Sequence, residues 1–126
     1  MINYSIDELI NFTETWLIKG DLNSAILADN FQFISPFWKS NSRAEFVDKF
    51  QNSSDYKDKS LSKITKFDPI IKCSSYNLKH FSIILQYYTN NGSSIYEAIL
   101  GTVADGMLVE LRSIYDLEAT KKALEL

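Results

Sequence analysis

The Asp105-Gly106 pair limits what this chain can fold into more than any other feature. It stands between two runs of strand-forming residues. A two-residue turn of the primed type requires positive φ at both positions, which Asp-Gly adopts readily, so the sequence predicts a β-hairpin over residues 95–116. Strand side chains alternate between two faces. In an uninterrupted hairpin centred on this turn, one face is formed by Tyr96, Ala98, Leu100, Thr102, Val109, Leu111, Ser113 and Tyr115.

That first face carries no charge, which suits the wall of a pocket or a core. The opposite face mixes apolar and charged side chains, which suits water or a partner subunit. It consists of Ile95, Glu97, Ile99, Val103, Leu108, Glu110, Arg112 and Ile114. Glu97 is a surface residue near Arg112 in this register. A β-bulge at Gly101 would instead turn it inward, where its pKa would rise and it would be able to exchange a proton, and both placements stay open.

The composition predicts a single domain spanning residues 1–126. The net charge of -3 and the lack of a basic stripe argue against a nucleic-acid partner, and the short apolar runs argue against a membrane. No signal-peptide pattern is evident, and one cysteine, Cys73, excludes an intrachain disulfide, so we expect a cytoplasmic protein. Eight Phe, seven Tyr and two Trp must fill a core or line a cavity.

Capping-box spacing at Ser5 and Glu8, and again at Ser42 and Glu45, marks two helix starts. The predicted elements are a helix at 5–19, a helix at 21–28, a strand at 31–35, a helix at 42–50, a loop at 52–60, strands at 61–73 and 77–89, the hairpin, and a helix at 117–126. Helices followed by a run of strands predict an α+β fold, in which the helices cover one face of a curved antiparallel sheet.

Three titratable residues are candidate catalytic groups. His80 is the only histidine. Because the unperturbed pKa of a histidine side chain as a residue type lies near neutrality, a general base is possible, and the alternative is a structural, partly exposed residue. Asp116 either caps the last helix or supplies a pocket acid. Glu97 is the third candidate, if it points inward. Metal binding is not predicted, because one histidine and one cysteine do not make a ligand set.

Several short motifs, in this order and spacing, resemble the nuclear transport factor 2-like superfamily. They are Gly20-Asp21-Leu22, Leu27-Ala28-Asp29-Asn30-Phe31, Ser35-Pro36, Ser42-Arg43-Ala44-Glu45-Phe46, Asp105-Gly106-Met107-Leu108 and Tyr115-Asp116. The superfamily includes ketosteroid isomerase and the SnoaL-like polyketide cyclases. The resemblance implies a cone in which a strongly curved sheet surrounds a central pocket, three N-terminal helices close its side, and a short C-terminal helix follows. It also implies a homodimer, since many members are dimers.

The resemblance locates the positions at which family members carry catalytic groups, and this chain replaces most of them. Ser35 stands where ketosteroid isomerase has a general-base aspartate, and Thr13 stands near its donor tyrosine. Ala98 lies near the place of a protonated carboxyl group, with Glu97 one residue away. Leu111 stands where SnoaL-like cyclases tend to carry a histidine. Whether the protein is an enzyme therefore stays open.

We expect from the resemblance an apolar pocket that binds a small apolar or aromatic molecule. Its chemistry would be proton transfer without a cofactor, of an isomerase, cyclase or lyase type. The expected pocket residues are Thr13, Trp16, Phe33, Ser35, Phe37, Trp38, Tyr96, Ala98, Leu100, Leu111, Ser113 and Tyr115. The alternative is a non-catalytic dimeric interaction module whose pocket is filled by its own side chains. The expected dimer contacts are Ile95, Ile99, Val103 and Ile114.

Overall fold

The structure, a computed structural model, describes residues 3–52 and 59–126. Within these residues the helices are α1 (Ile6–Lys19), α2 (Arg43–Asn52) and α3 (Leu117–Leu124). The strands are β1 (Leu27–Ile34), β2 (Lys39–Ser40), β3 (Ile64–Ser74), β4 (His80–Thr89), β5 (Ser94–Ala104) and β6 (Met107–Ile114). Short 3₁₀ turns at Ser24–Ile26 and Leu61–Lys63 lead into β1 and β3. The loop predicted at 52–60 lies largely outside the described residues.

The six strands form one sheet in the order β2-β1-β6-β5-β4-β3. β1 runs parallel to β6, and the other neighbouring strands are antiparallel, so the sheet is mixed rather than wholly antiparallel as predicted. Register shifts interrupt the β1–β6, β3–β4 and β5–β6 pairings. Shifts of this kind bend a strand and increase its twist. The predicted α+β class with a curved sheet is confirmed.

Helices α1 and α2 begin where the capping patterns predict. Ser5 and Glu8 form the complete capping box of α1, and Gly20 ends that helix in the left-handed conformation. At the start of α2, the backbone N–H of Glu45 donates to Ser42 Oγ at 3.1 Å. In the described part of the chain, no helix combines the length and the apolar character needed to cross a membrane.

The second helix predicted at 21–28 is wrong. Only the 3₁₀ turn at Ser24–Ile26, capped by Asn23, lies between α1 and β1. The strand begins at Leu27, which is buried and pairs with Leu108 of β6. Pairing with a strand from the far end of the chain therefore overrides the local helical pattern.

The hairpin predicted from Asp105 and Gly106 is confirmed, but its register differs from the predicted one. Both turn residues have positive φ, at 53° and 70°. Beyond Val103 the register shifts by one residue, because β6 contains an extra residue, Val109, at a β-bulge near Thr102. The bulge alternative considered for Glu97 is therefore present, next to the expected position.

This bulge exchanges the two faces of β5. Tyr96 is 62% exposed and Leu100 is 40% exposed, and both lie with Ala98 on the outer face of the sheet. Their predicted position in the pocket wall is wrong, because the prediction assumed an uninterrupted ladder. On β6, Leu111 and Ser113 remain on the inner face as predicted and are buried.

The same exchange corrects the predicted dimer contacts. Ile95 and Ile99 are buried on the inner face, and Val103 packs against the core. Of the expected contacts, only Ile114 is exposed on the outer face. Glu97, between Ile95 and Ile99 on β5, shares their inward direction. An interface on the outer face would therefore use other residues.

At Gly101 the ring of Phe81 occupies the space where a side chain would lie. A Cβ built at this glycine would stand 2.3 Å from two carbons of that ring, which is closer than atoms can approach. Phe81 on β4 is paired with Gly101 and is 3% exposed. The glycine thus allows a large aromatic side chain to pack onto β5 beside the bulge.

The main core lies between the inner face of the sheet and helices α1 and α2. Its buried members are Leu9, Ile10, Trp16, Leu17, Ile26, Leu27, Phe31, Phe33, Phe46, Phe81, Ile83, Leu85, Ile99, Leu108 and Leu111. A smaller cluster joins α3 to the sheet through Tyr87, Ile95, Ala123 and Leu124. The chain thus has two packed regions, and the inner face of the sheet contributes to both.

Candidate functional site

A cavity of about 840 Å³ lies against the inner face of the sheet, with walls from α1, the turn after β1, and α3. Its aromatic lining consists of Trp16, Phe33, Phe37, Trp38, Phe50, Phe67, Tyr87 and Tyr115. Helix α3 adds Thr120 and Leu124. A largely apolar space of this size, with a few polar groups, has the character of small-molecule sites in proteins.

Glu97 brings a carboxyl group to this cavity, because the bulge in the hairpin turns it inward. Ser113 Oγ on β6 donates a hydrogen bond to Glu97 Oε2. Burial raises the pKa of Glu97 from 4.5 to about 7, and the Ser113 hydrogen bond offsets this only in part. Near neutral pH the carboxyl group is therefore present in both protonation states, which suits a group that accepts or donates a proton.

Two tyrosine side chains also line the cavity. Both interact electrostatically with Glu97. Burial raises the pKa of Tyr115 to about 12. A hydrogen bond with Ser35 lowers this pKa in part, and the negative charge of Glu97 raises it. Burial likewise raises the pKa of Tyr87, and the charge of Glu97 adds to the effect. Both hydroxyl groups are therefore neutral hydrogen-bond donors at neutral pH.

Ser35 holds the turn that carries Phe37 and Trp38 to the cavity. Its Oγ donates to the carbonyl oxygen of Trp38 at 2.9 Å. The same oxygen accepts from the backbone N–H groups of Phe37 at 3.2 Å and Trp38 at 3.1 Å. The Ser35 side chain therefore holds this turn together through several hydrogen bonds.

The predicted pocket residues fall into three groups. Those that line the cavity are Trp16, Phe33, Ser35, Phe37, Trp38, Ser113 and Tyr115. Thr13 and Leu111 are fully buried but are not part of its wall. Thr13 Oγ1 donates to the backbone oxygen of Leu9 at 2.7 Å, so this hydroxyl group is used within α1. The three residues of β5 that the bulge turns outward form the last group.

The other two candidate catalytic residues lie outside the cavity wall. His80 is exposed at the start of β4, where its Nδ1 lies 3.4 Å from Thr102 Oγ1. Asp116 Oδ1 accepts from the backbone N–H of Ala119 at 2.9 Å and caps α3. Among the described residues, no cluster of His, Cys, Asp and Glu side chains is suited to a metal ion.

Several cavity residues were not assigned from the sequence. Tyr87 lies on the inner face of β4 with Ile83 and Leu85, and strand alternation was the signal that groups these three. Thr120 and Leu124 come from α3, which packs on strands distant in sequence. No local pattern specifies that contact, so the sequence alone did not reveal it.

Lysine side chains mark the solvent side of the cavity. Lys49 Nζ lies 3.4 Å from Glu45 Oε1 and 5.4 Å from the centre of the Trp38 ring. Lys63 Nζ donates to the backbone oxygen of Leu124 at the end of α3. These ammonium groups contact other parts of the protein, and the hydrogen bond of Lys63 joins α3 to the start of β3.

No protein-family model and no curated protein sequence matches the chain. Solved structures match it closely in fold. An NTF2-like protein of unknown function from Cytophaga hutchinsonii has a TM-score of 0.65 and 13% identity over 93% of this chain and 95% of its own. A hypothetical protein with a ketosteroid isomerase-like fold from Catenulispora acidiphila, in complex with trimethylamine, has a TM-score of 0.68 and 10% identity over 94% of this chain and 93% of its own.

TerC, co-crystallized with polyporic acid, has a TM-score of 0.72 and 12% identity over 96% of this chain and 98% of its own. At such low identity, these matches concern the fold alone. The chain therefore has the nuclear transport factor 2-like fold, also described as ketosteroid isomerase-like, as the sequence resemblance predicted.

Proposed function

We propose that this protein binds a small, largely apolar organic molecule in the cavity and exchanges a proton with it through Glu97. The observation that carries the proposal is a carboxyl group that the bulge turns into an aromatic-walled cavity, where burial raises its pKa to about 7. A general base is most effective when its pKa lies near the working pH. Two fold neighbours add support, since one was solved in complex with trimethylamine and the other was co-crystallized with polyporic acid, both small organic molecules.

The proposed chemistry needs no cofactor. Glu97, as the carboxylate, takes a proton from a carbon atom next to a carbonyl group of the ligand, and the electron pair of the C–H bond moves towards the carbonyl oxygen. The hydroxyl groups of Tyr87 and Tyr115 are suited to stabilise the negative charge that develops. Return of the proton to another carbon completes an isomerisation. If the proton on Glu97 is first replaced by one from solvent, its return to the same carbon completes an exchange.

Glu97→Gln is expected to slow proton exchange with a suitable probe. We expect the native protein to speed the exchange of the α-hydrogens of 2-tetralone for deuterium in D₂O. The variant should lose roughly 10²-fold of that acceleration, since glutamine cannot take up the proton. NMR spectra of the probe, recorded over time, measure both rates.

Glu110→Gln is the matched control, because Glu110 lies beside Arg112 on the outer face of the sheet and is not part of the cavity wall. This variant should catalyse the exchange of the α-hydrogens of the probe as fast as the native protein does. Equal exchange rates for the Glu97 and Glu110 variants would contradict the assignment of Glu97 as the base.

The outer face supports a second proposal, that two copies of this chain pack there as a homodimer. Ile71, Ile84, Ala98 and Ile114 are paired in one row across four strands. Ile71 is 48% exposed and Ile114 is 50% exposed. Contiguous apolar surface on a sheet face marks an interaction site. A symmetric dimer would bury the row of each copy against the other. Such a dimer is compatible both with a protein that binds a small molecule and with a non-catalytic interaction module.

Ile114→Lys is expected to convert the dimer into monomers, because it places a charge in the apolar row. Light scattering should give twice the 14.5 kDa chain mass for the native protein and the single mass for the variant. Tyr76→Lys, at a fully exposed residue in the turn before β4, is the control and should remain dimeric. A native protein of 14.5 kDa at high concentration rules out the dimer, and a dimeric Ile114 variant rules out this face.

We also propose that the protein works in the cytoplasm. Cys73 is a free and exposed thiol on β3, with its Sγ 3.0 Å from Ser82 Oγ. An exposed thiol of this kind persists most readily in a reducing compartment. Cell fractionation with an antibody against the protein tests the location directly.

A further inference from the structure

The indole N–H of Trp16 is a buried hydrogen-bond donor that has no acceptor among the described residues. Trp16 is only 2% exposed. Its ring packs against aromatic neighbours, with ring centres 6.2 Å away at Phe33, 5.1 Å away at Phe46 and 5.5 Å away at Phe50. The hydrocarbon rings of phenylalanine offer no conventional acceptor to this N–H.

An unpaired buried donor requires an explanation, because nearly all buried polar groups in native proteins are hydrogen-bonded. Trp16 is also one of the residues that line the cavity. Other atoms of its ring face the cavity, whereas Nε1 is covered, so a bound molecule supplies the missing acceptor when the neighbouring side chains shift as it binds. In the absence of a ligand acceptor or water, the cost of leaving the N–H unpaired remains in the folded protein.

We propose that Trp16 selects ligands that present a neutral hydrogen-bond acceptor, such as a carbonyl oxygen, on an apolar ring system. The inference rests on the proposed function, since it requires that the cavity binds a small apolar molecule. Indole N–H is a donor only, so it discriminates against ligands that offer a donor or a hydrocarbon group at this point. Discrimination is strongest where a buried polar group would otherwise be left unpaired.

Trp16 and Glu97 would together fix the orientation of a ligand. Trp16 comes from α1 and Glu97 from β5, on separate elements of the cavity wall. The indole N–H recognises an acceptor, whereas the carboxyl group handles a proton. Two polar groups in an otherwise aromatic space restrict how a flat molecule can lie, which positions one bond of the ligand for proton transfer.

A pair of probes of nearly equal shape tests the proposal. These are 2-acetylnaphthalene, which carries a carbonyl group, and 2-isopropylnaphthalene, which does not. Calorimetry should show that the native protein binds the acetyl probe roughly tenfold more tightly than the isopropyl probe, as one satisfied donor predicts. Trp16→Phe keeps an aromatic ring but removes the N–H, and it should lose this preference.

Trp38→Phe is the matched control. Trp38 lines the cavity, so its loss is expected to change the affinity for both probes together, but its indole N–H is not among the buried unpaired donors of the described residues, so the ratio of the two affinities should stay the same. A second measurement needs no variant of Trp16: in the native protein, the indole N–H proton resonance of Trp16 should move downfield with the acetyl probe only. The Trp38 variant assigns that resonance, since it retains a single indole group.

Each outcome decides a separate point. Equal affinity of the native protein for the two probes, or an unmoved indole resonance with the acetyl probe bound, overturns the role of Trp16 and leaves the binding proposal intact. Failure of both probes to bind overturns the apolar binding site itself, and the inference with it. If Trp16→Phe retains the preference and Trp38→Phe loses it, the donor is Trp38 and the assignment to Trp16 is wrong.

Discussion

Gly101→Ala is expected to lower the free energy of unfolding by about 3 kcal/mol, the upper end of the usual cost of overpacking a core. The added Cβ would meet the ring of Phe81 at 2.3 Å, and that ring is held in the core with 3% of its surface exposed. Alanine reduces the entropy of the unfolded chain, which by itself stabilises a protein by less than about 1 kcal/mol. The clash therefore determines the sign. Urea unfolding measures the change.

Thr102→Ala, one residue along β5, is the control and should change stability little, because Thr102 lies on the outer face. The cause can be isolated with Phe81→Leu, which shortens the side chain that causes the clash. Combined with Gly101→Ala, it should cost clearly less than the sum of the two single changes. A Gly101→Ala protein as stable as the native one would show that the ring moves aside freely.

The position of Gly101 explains why the sequence predicted the hairpin but not its faces. The turn is a local property of Asp105 and Gly106, and their positive φ values follow from residue type. The faces of β5 depend on the extra residue Val109 and on the contact between Phe81 and Gly101. Alternation with a period of two cannot register such a bulge, because one inserted residue reverses every assignment beyond it.

Helix starts were predictable for a similar reason. The capping box of α1 is formed by Ser5 and Glu8, which are three residues apart, so the sequence contains all the information it needs. Residues 21–28 carry a comparable local signal, yet their last part forms β1 with Leu27 against Leu108. A parallel pairing between distant segments decides that structure, and no short window of sequence contains both partners.

The candidate site divides along the same line. The aromatic residues near Ser35 were predicted from the resemblance and from their place after β1, and they line the cavity. For Glu97 the sequence left two placements open, on the surface or pointing inward, since its direction depends on the bulge. Tyr87 and Thr120 reach the cavity from β4 and α3, whose mutual packing is a tertiary contact. The sequence therefore indicated the residue types of the site better than their directions.

Glu97 is expected to make the stability of the native protein fall as the pH rises. Its pKa is about 7 in the folded protein against an ordinary value of 4.5 in the unfolded chain. Below pH 4.5 the group is protonated in both states and has no effect. Between these two values the unfolded chain loses the proton while the folded protein keeps it, which favours unfolding. The contribution of Glu97 should therefore decline by about 3 kcal/mol and become constant above the folded pKa.

Glu97→Gln separates this effect from all other titrations, because glutamine does not ionise and its side-chain oxygen can still accept from Ser113 Oγ. The free energy of unfolding of the variant minus that of the native protein should rise from pH 4.5 to 7. The variant therefore becomes more stable relative to the native protein as the pH increases through this range. Urea unfolding at a series of pH values measures this difference. A difference that stays flat with pH would mean that solvent reaches Glu97 freely, and proton transfer by a buried carboxyl group would then have no basis.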